Sequence, residues 1–163
     1  MVAEKLDVTL TVNGESHEVV VEPRELLSQT LRDRLGRTEI NIGCESSICG
    51  ACTVTSDGDA LKSCTRLTAQ ADGAAIETIA GSGEDGVLGA LRTAFTEEHA
   101  LQCGYCTPGM VMAVADYLAD HDDPSREEIR TEALQGNLCR CTGYENIVDA
   151  VALAANGSDE SSQ

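Results

Sequence analysis

The 163-residue chain contains no tryptophan, one phenylalanine (Phe95) and three tyrosines. Two cores built from so few large side chains would be thin, and chains of this size then need a staple. Lysine is nearly missing as well. Lys5 and Lys62 stand with nine arginines against 28 acids, for a net charge of −17. Nucleic acids and anionic membrane faces bind basic patches, so this balance speaks against both. No apolar run is longer than that from Ala150 to Ala155, which is far too short to span a bilayer. The opening Met1 to Asp7 has no apolar stretch of the kind a secretory signal carries. A cytoplasmic protein is expected, in which cysteines stay reduced and a patterned set binds metal more often than it forms disulfides. What the sequence has in quantity is cysteine, eight of them.

The first half reads as strands. Lys5 to Val12 and Glu18 to Val21 alternate apolar and polar residues around Asn13-Gly14, the strongest short-range hairpin signal. Pro23 ends the second strand, and Leu26, Leu27, Thr30, Leu31 and Leu35 recur at helical spacing. A cysteine-rich loop covers Asn41 to Cys52. Thr53 to Ser56, Ala60 to Ser63 and Ala75 to Ile79 then read as short strands, the first two joined by Asp57-Gly58. Composition changes at the glycine-rich stretch Gly81 to Gly86, which reads as a linker. Beyond it helices are expected over Val87 to His99 and Pro108 to Ala119, then one opened by the capping box Ser125-Arg-Glu-Glu128 and closed by Gly136. A fourth, from the capping box at Thr142 to Glu145, runs to Ala155. The spacing predicts an α+β chain: a strand-rich domain at 1–80, a linker at 81–86, a four-helix domain at 87–155 and a disordered acidic tail at 156–163.

Cys44, Cys49 and Cys52 are spaced Cys-x4-Cys-x2-Cys, and Cys64 follows after eleven intervening residues. That is the plant-type spacing for a [2Fe–2S] cluster, whereas zinc sites favour two short cysteine pairs. Gly43 and Gly50 in the same loop let the backbone approach a cluster and aim N–H groups at sulfur. The second set is Cys103-x2-Cys106 and, after 32 residues, Cys139-x-Cys141. Spacing alone leaves this set open between one zinc and two irons. Each pair precedes a threonine placed to cap a helix, Thr107 with Pro108 at the first helical position and Thr142, so both pairs fall at helix N-termini, where the dipole favours an anionic cluster.

Three runs together carry a resemblance. Cys44-Glu-Ser-Ser-Ile-Cys-Gly-Ala-Cys-Thr-Val54, Gln102-Cys-Gly-Tyr-Cys-Thr-Pro-Gly-Met110 and Gly136-Asn-Leu-Cys-Arg-Cys-Thr-Gly-Tyr144 resemble the two-cluster iron–sulfur subunit of the molybdenum hydroxylases, colinear from about Leu6 to Ala155. That family includes xanthine dehydrogenase, aldehyde oxidoreductase and aerobic carbon monoxide dehydrogenase. Ile40-Asn-Ile-Gly43, together with Ser47 where the xanthine dehydrogenase branch tends to carry glycine, is most similar to the separate small subunit of the carbon monoxide dehydrogenase type. The resemblance implies an N-terminal β-grasp (plant-type ferredoxin-like) domain whose cluster is held by Cys44, Cys49, Cys52 and Cys64. It implies an all-α four-helix [2Fe–2S]-binding domain whose cluster is held by Cys103, Cys106, Cys139 and Cys141. Gln102 and Cys139 would face a molybdopterin cofactor on a large subunit, and FAD would sit on a medium subunit. Electrons would pass from molybdenum through the second cluster, then the first, to FAD.

On this view the chain is a non-catalytic electron-transfer subunit of an oxidoreductase complex. The chain is read as having no molybdopterin domain and no Gly-x-Gly-x-x-Gly nucleotide loop; such a loop and the substrate site are assigned to partner chains in a hetero-oligomer, for which a dimer of heterotrimers is one arrangement. Two other readings stand beside it: a freestanding two-cluster carrier, and a zinc-stapled interaction module without redox function. His17, His99 and His121 fit neither cysteine spacing, and Met110 and Met112 read as core. Arg140, between two ligands, could offset cluster charge, while Tyr105 and Tyr144 could shield a cluster or simply pack.

The acids are spread along the whole chain, which fits an ordinary acidic soluble domain or, more sharply, a halophilic protein whose self-repulsion is screened by a salt-filled cytoplasm. Dilution from molar KCl into low salt should then lower both far-ultraviolet circular dichroism and visible cluster absorbance. Full absorbance in dilute buffer would count against such an adaptation.

Overall fold

A computed structural model describes residues 4–81 and 86–157. The first strands, β1 (Leu6–Val12) and β2 (Glu15–Val21), pair antiparallel with Val12 opposite Glu15, leaving Asn13 and Gly14 as the whole turn. Both turn residues have positive φ, 51° and 82°, as a type I′ turn requires to match the twist of its strands. Helix α1 (Leu27–Gln29) continues as a π-helical turn over Thr30–Arg34 and lays Leu27 and Leu31 on the sheet, both fully buried. A second hairpin, β3 (Thr53–Ser56) and β4 (Asp59–Lys62), turns at Asp57-Gly58. Strand β5 (Ala75–Glu77) lies parallel to β1 and antiparallel to β3, giving a five-stranded mixed sheet in the order β2-β1-β5-β3-β4. One helix across such a sheet is the β-grasp arrangement expected for a ferredoxin-like domain. β5 stops at Glu77, two residues before the expected end, because Thr78 turns aside to Asn13. The Thr78 N–H donates to Asn13 Oδ1 at 2.9 Å, and Asn13 Nδ2 donates to Thr78 Oγ1 at 3.0 Å.

The second half is helical: α2 (Gly86–Glu97), α3 (Thr107–Asp120), α4 (Arg126–Glu128, continued as a π-helical turn over Ile129–Ala133) and α5 (Glu145–Gly157). The Ser125 capping box forms as read, with the Ser125 N–H donating to Glu128 Oε2 at 2.8 Å and the Glu128 N–H to Ser125 Oγ at 3.3 Å. The single phenylalanine sits in this core with Leu91, Met110, Val114, Ile129, Ile147 and Val151. The sheet has a separate core of Val8, Leu10, Val12, Val21, Val54 and Ile76 under α1.

The structure departs from the sequence reading at several helix ends. Cys106, not Thr107, is the N-cap of α3, and Thr107 is already helical. The box at Thr142 does not cap α5 either. Tyr144 accepts the first helical bond, from the Val148 N–H, while the Thr142 hydroxyl is held by Cys139 Sγ and the Tyr144 N–H. α5 takes in Asn156 and Gly157, which were expected in the tail; the rest of the tail lies outside the described residues, as does Ser82–Asp85 of the linker. Gly81-Ser-Gly-Glu-Asp-Gly86 spells the Gly-x-Gly-x-x-Gly pattern that was assigned to a partner chain. Among the described residues it lacks the strand–helix–strand setting of a dinucleotide site, because α2 packs on α3 and α5 and no parallel strand returns after it. Among the described residues no helix is long and apolar enough to cross a membrane.

The two halves meet where the first turn of α3 lies on the loop ahead of β3. A Cβ at Gly109 would overlap the carbonyl oxygens of Gly50 and Ala51. Asp116, about two turns further along the same face of α3, accepts the Ala60 N–H at 2.9 Å. Replacing Gly109 with alanine would push the halves apart, at a cost of about 1–3 kcal/mol. A lowered midpoint of chemical denaturation is the expected result, and an unchanged midpoint would show that α3 slides freely on the loop.

Candidate metal centres

The loop from Asn41 to Cys52 has no regular structure, and its conformation comes from left-handed residues. Glu45, Ser47 and Gly50 have φ of 52°, 62° and 76°. Such reversals turn successive N–H groups inward, making a concavity suited to anions. The N–H groups of Ser46 and Cys49 lie 3.4 and 3.3 Å from Cys44 Sγ. The Ser46 hydroxyl and these N–H groups pull the Cys44 thiol down to about 6. Cys64 enters from the short helix after β4 and is buried with Cys52. Burial pushes the Cys64 thiol up to about 11, against the opposing Ser47 N–H, and its hydrogen bond with Cys52 pushes the same way. Gly43 is required for room: a Cβ there would come within 2.9 Å of Cys49 Sγ. Gly50 is required for room at the seam between the halves. Its missing Cβ accommodates Asn137 and the Gly136 carbonyl of the other half rather than sulfur.

The second set comes from two segments ahead of helices, of which only the first reaches a helix N-terminus, with Cys106 as its cap. Cys103 and Cys106 precede α3, and Cys139 and Cys141 precede α5. Cys141 and Cys103 sulfurs are 3.5 Å apart. Burial pushes the Cys106 thiol up to about 12, and its hydrogen bond to Cys139 adds to the rise. At Cys139 burial acts upward, but the Thr142 hydroxyl, 3.2 Å from Sγ, and the N–H groups of Thr142 and Cys141 outweigh it and hold the thiol below its usual value. The Tyr144 hydroxyl accepts the Cys139 N–H at 2.8 Å and donates to the Asn137 carbonyl at 3.3 Å, which fixes the loop between the two last cysteines and the seam.

The eight thiols therefore approach in twos: Cys44 with Cys49, Cys52 with Cys64, Cys103 with Cys141, and Cys106 with Cys139. Among the described residues no three His, Cys, Asp or Glu side chains gather as the ligands of one ion would. Two pairs per set fit a two-iron core better than a tetrahedral zinc, and thiols driven up by burial need a cationic core to ionise. The sets are joined directly, since the Leu138 N–H, next to Cys139, donates to the Cys49 carbonyl at 2.9 Å. Gln102 and Arg140 are exposed beside the second set. Exposed apolar side chains ring both: Ile48 (62% exposed), Leu138 (55%), Leu101 and Tyr105, the last donating its hydroxyl to the Ile42 carbonyl at 3.0 Å. Met110 and Met112 are core, as read.

Comparison with known proteins agrees with this geometry. A 2Fe-2S iron-sulfur cluster binding domain matches residues 10–78, and a [2Fe-2S] binding domain matches residues 76–152. Caffeine dehydrogenase subunit gamma of Pseudomonas sp. (strain CBB1) is 49% identical over 88% of this chain and 87% of its own length. Nicotine 6-hydroxylase small subunit of Paenarthrobacter nicotinovorans is 46% identical over 91% of this chain and 89% of its own. The chain belongs to the [2Fe–2S] small subunits of the molybdenum hydroxylases. A chain of the crystal structure of quinoline 2-oxidoreductase from Pseudomonas putida 86 superimposes with a TM-score of 0.87 at 42% identity, covering 97% of this chain and 98% of that one. As a member of this family the protein is a non-catalytic electron-transfer subunit of an oxidoreductase complex.

Reading the sequence missed three contributors to the centres: Asn137, buried in the seam, the Thr142 hydroxyl on Cys139, and Lys62 behind the first loop. Asn137 and Thr142 sit in the Gly136 to Tyr144 run beside cysteines, so their position was the available signal. Tyr144→Phe would strip the Cys139 N–H of its acceptor, at a cost of about 1–3 kcal/mol. Iron at the Cys103–Cys141 site should be lost at lower denaturant than in the parent, while the first site keeps its iron; equal loss from both sites would reject this role for the hydroxyl.

Proposed function

We propose that Cys44, Cys49, Cys52 and Cys64 hold one [2Fe–2S] cluster, and Cys103, Cys106, Cys139 and Cys141 a second, in domains spanning about 1–80 and 87–155. The observation that carries this reading is the meeting of the thiols in pairs on two loops joined by the Leu138 to Cys49 hydrogen bond. Each such cluster supplies one-electron chemistry when bound. The chain's own residues do the rest. Cys52 and Cys64 lie under β3 and α1, out of water, while the N–H groups around Cys44 stabilise thiolate charge. Thr142 and Tyr144 orient Cys139. Gln102 and Cys139 lie on the face that would meet molybdopterin on a large subunit, with FAD on a medium subunit. The relay would run from the second cluster to the first and on to the flavin, in a cytoplasmic hetero-oligomer. The exposed apolar ring of Ile48, Leu101, Tyr105 and Leu138 supports burial against such partners.

Ile40 to Gly43 and Ser47 favour the carbon monoxide dehydrogenase type of separate small subunit. For the substrate, the named relatives favour another reading. Caffeine, nicotine and quinoline are all nitrogen heteroaromatics, which supports a heteroaromatic substrate on the molybdenum partner. Substrate choice would lie with that partner.

Electron paramagnetic resonance of the dithionite-reduced protein in high salt, with iron, zinc and sulfide assayed on the same sample, tests the cluster assignment. Two distinct [2Fe–2S] signals with about four irons per chain are expected; one signal with bound zinc would overturn it. Cys139→Ser should remove the second signal, keep the first and cut electron flow to the flavin acceptor, whereas unchanged turnover would reject the relay.

A further inference from the structure

Lys62 is one of the chain's two lysines and is half-buried at the end of β4, in register opposite Thr53. Its ammonium donates to Thr53 Oγ1 at 2.9 Å, and the Thr53 hydroxyl donates in turn to the Gly50 carbonyl at 2.6 Å. Thr53 follows Cys52 directly, and Lys62 is two residues before Cys64, so the ammonium is fixed behind the loop that carries three of the first set's thiols. Burial pushes the Lys62 ammonium below its usual value, and the opposite charges of Cys52, Cys49, Cys64 and Asp116 act the other way, to keep its proton on. Asp116 comes from α3, in the other half, and is anchored there by the Ala60 N–H at 2.9 Å. The lysine stem also reaches the second half, its Cε lying 4.0 Å from the place a Cβ on Gly136 would occupy.

We propose that Lys62 is a positioning charge for the first centre: its ammonium raises the reduction potential of the cluster held by Cys44, Cys49, Cys52 and Cys64, and Asp116 tempers that effect. The inference rests on the cluster assignment above. Net charge and hydrogen bonding around the sulfurs are main determinants of the potential of such clusters. Reduction adds one electron, supplied in the experiment by dithionite, and makes the cluster one charge more negative. No proton or bond changes at Lys62. A cation held in a partly dry site favours the more negative state, and a carboxylate opposes it. Within a chain of net charge −17, this is a local reversal of sign set beside the thiols.

The test is a redox titration of the full chain with both clusters, followed by electron paramagnetic resonance, on the parent, Lys62→Met, Lys62→Arg and Asp116→Asn. Lys62→Met should shift the one-electron equilibrium of the first signal on the order of tenfold toward the oxidised state, equivalent to about 59 mV. Lys62→Arg should restore most of it, and Asp116→Asn should shift the same signal the opposite way. The second signal should move less in every variant. An unmoved first signal in Lys62→Met, or shifts of the same sign in Lys62→Met and Asp116→Asn, would overturn the inference, since a packing role has no reason to reverse sign. Should Lys62→Met lose its cluster, Asp116→Asn decides: an upward shift supports the inference and no shift overturns it. Absence of both signals in the parent would instead refute the cluster assignment itself.

Discussion

The close approach of α3 to the loop ahead of β3 is the constraint on which the remaining geometry depends. It exists because two glycines give up their side chains at one seam. Gly109 lets the helix touch the carbonyls of Gly50 and Ala51, and Gly50 lets that loop touch Asn137 and Gly136. With the backbones in contact, the Leu138 N–H reaches the Cys49 carbonyl at 2.9 Å, and Asn41 Nδ2 reaches the Tyr105 carbonyl at 2.9 Å. Each bond links a residue beside one thiol set to a residue beside the other. Two thin cores thus behave as one body at the place where their cysteines lie, and the shortage of aromatic residues is offset by backbone contact.

The thiols divide according to what surrounds them. Those within reach of hydroxyl and N–H donors, Cys44 and Cys139, are held low, and those sunk under apolar cover, Cys64 and Cys106, are pushed up. Each pair of loops combines both kinds. Covered thiols keep water out but need a cationic core to exist as thiolates, while the donor-rich thiols have part of their charge already stabilised; the exposed thiols are Cys103 and Cys141. Of the seven described ion pairs, by contrast, six join arginines to carboxylates, such as Arg130 on Glu145 at 2.8 Å, and one joins His17 to Glu15; such pairs contribute little to stability individually. One of these seven counts only if His17 is protonated.

Most of the fold was legible because its signals are local. Asn13-Gly14 specifies a turn through its own φ angles, Asp57-Gly58 does the same, and Ser125 with Glu128 closes a cap within four residues. The cysteine spacing likewise marked the candidate site, since ligands on one loop must be close in sequence. What stayed hidden depends on contacts between distant segments. Thr142 is a good capping residue that is recruited instead by Cys139, and nothing within its own turn reveals this. Gly50 looked like a cluster glycine, yet its partner is 87 positions along the chain, at Asn137. Lys62 read as an ordinary strand residue because the carboxylate and thiols that give it meaning come from α3 and from the far side of a hairpin.

The rim of Ile48, Leu101, Tyr105 and Leu138 also bears on how a cell must make this protein. If partner chains cover that rim, a copy made in excess of them would leave these four apolar side chains in water, close to free thiols open to oxidation. Self-association and oxidative damage would then begin at the same spot. Production in step with such partners would then serve solubility and survival as well as electron transfer.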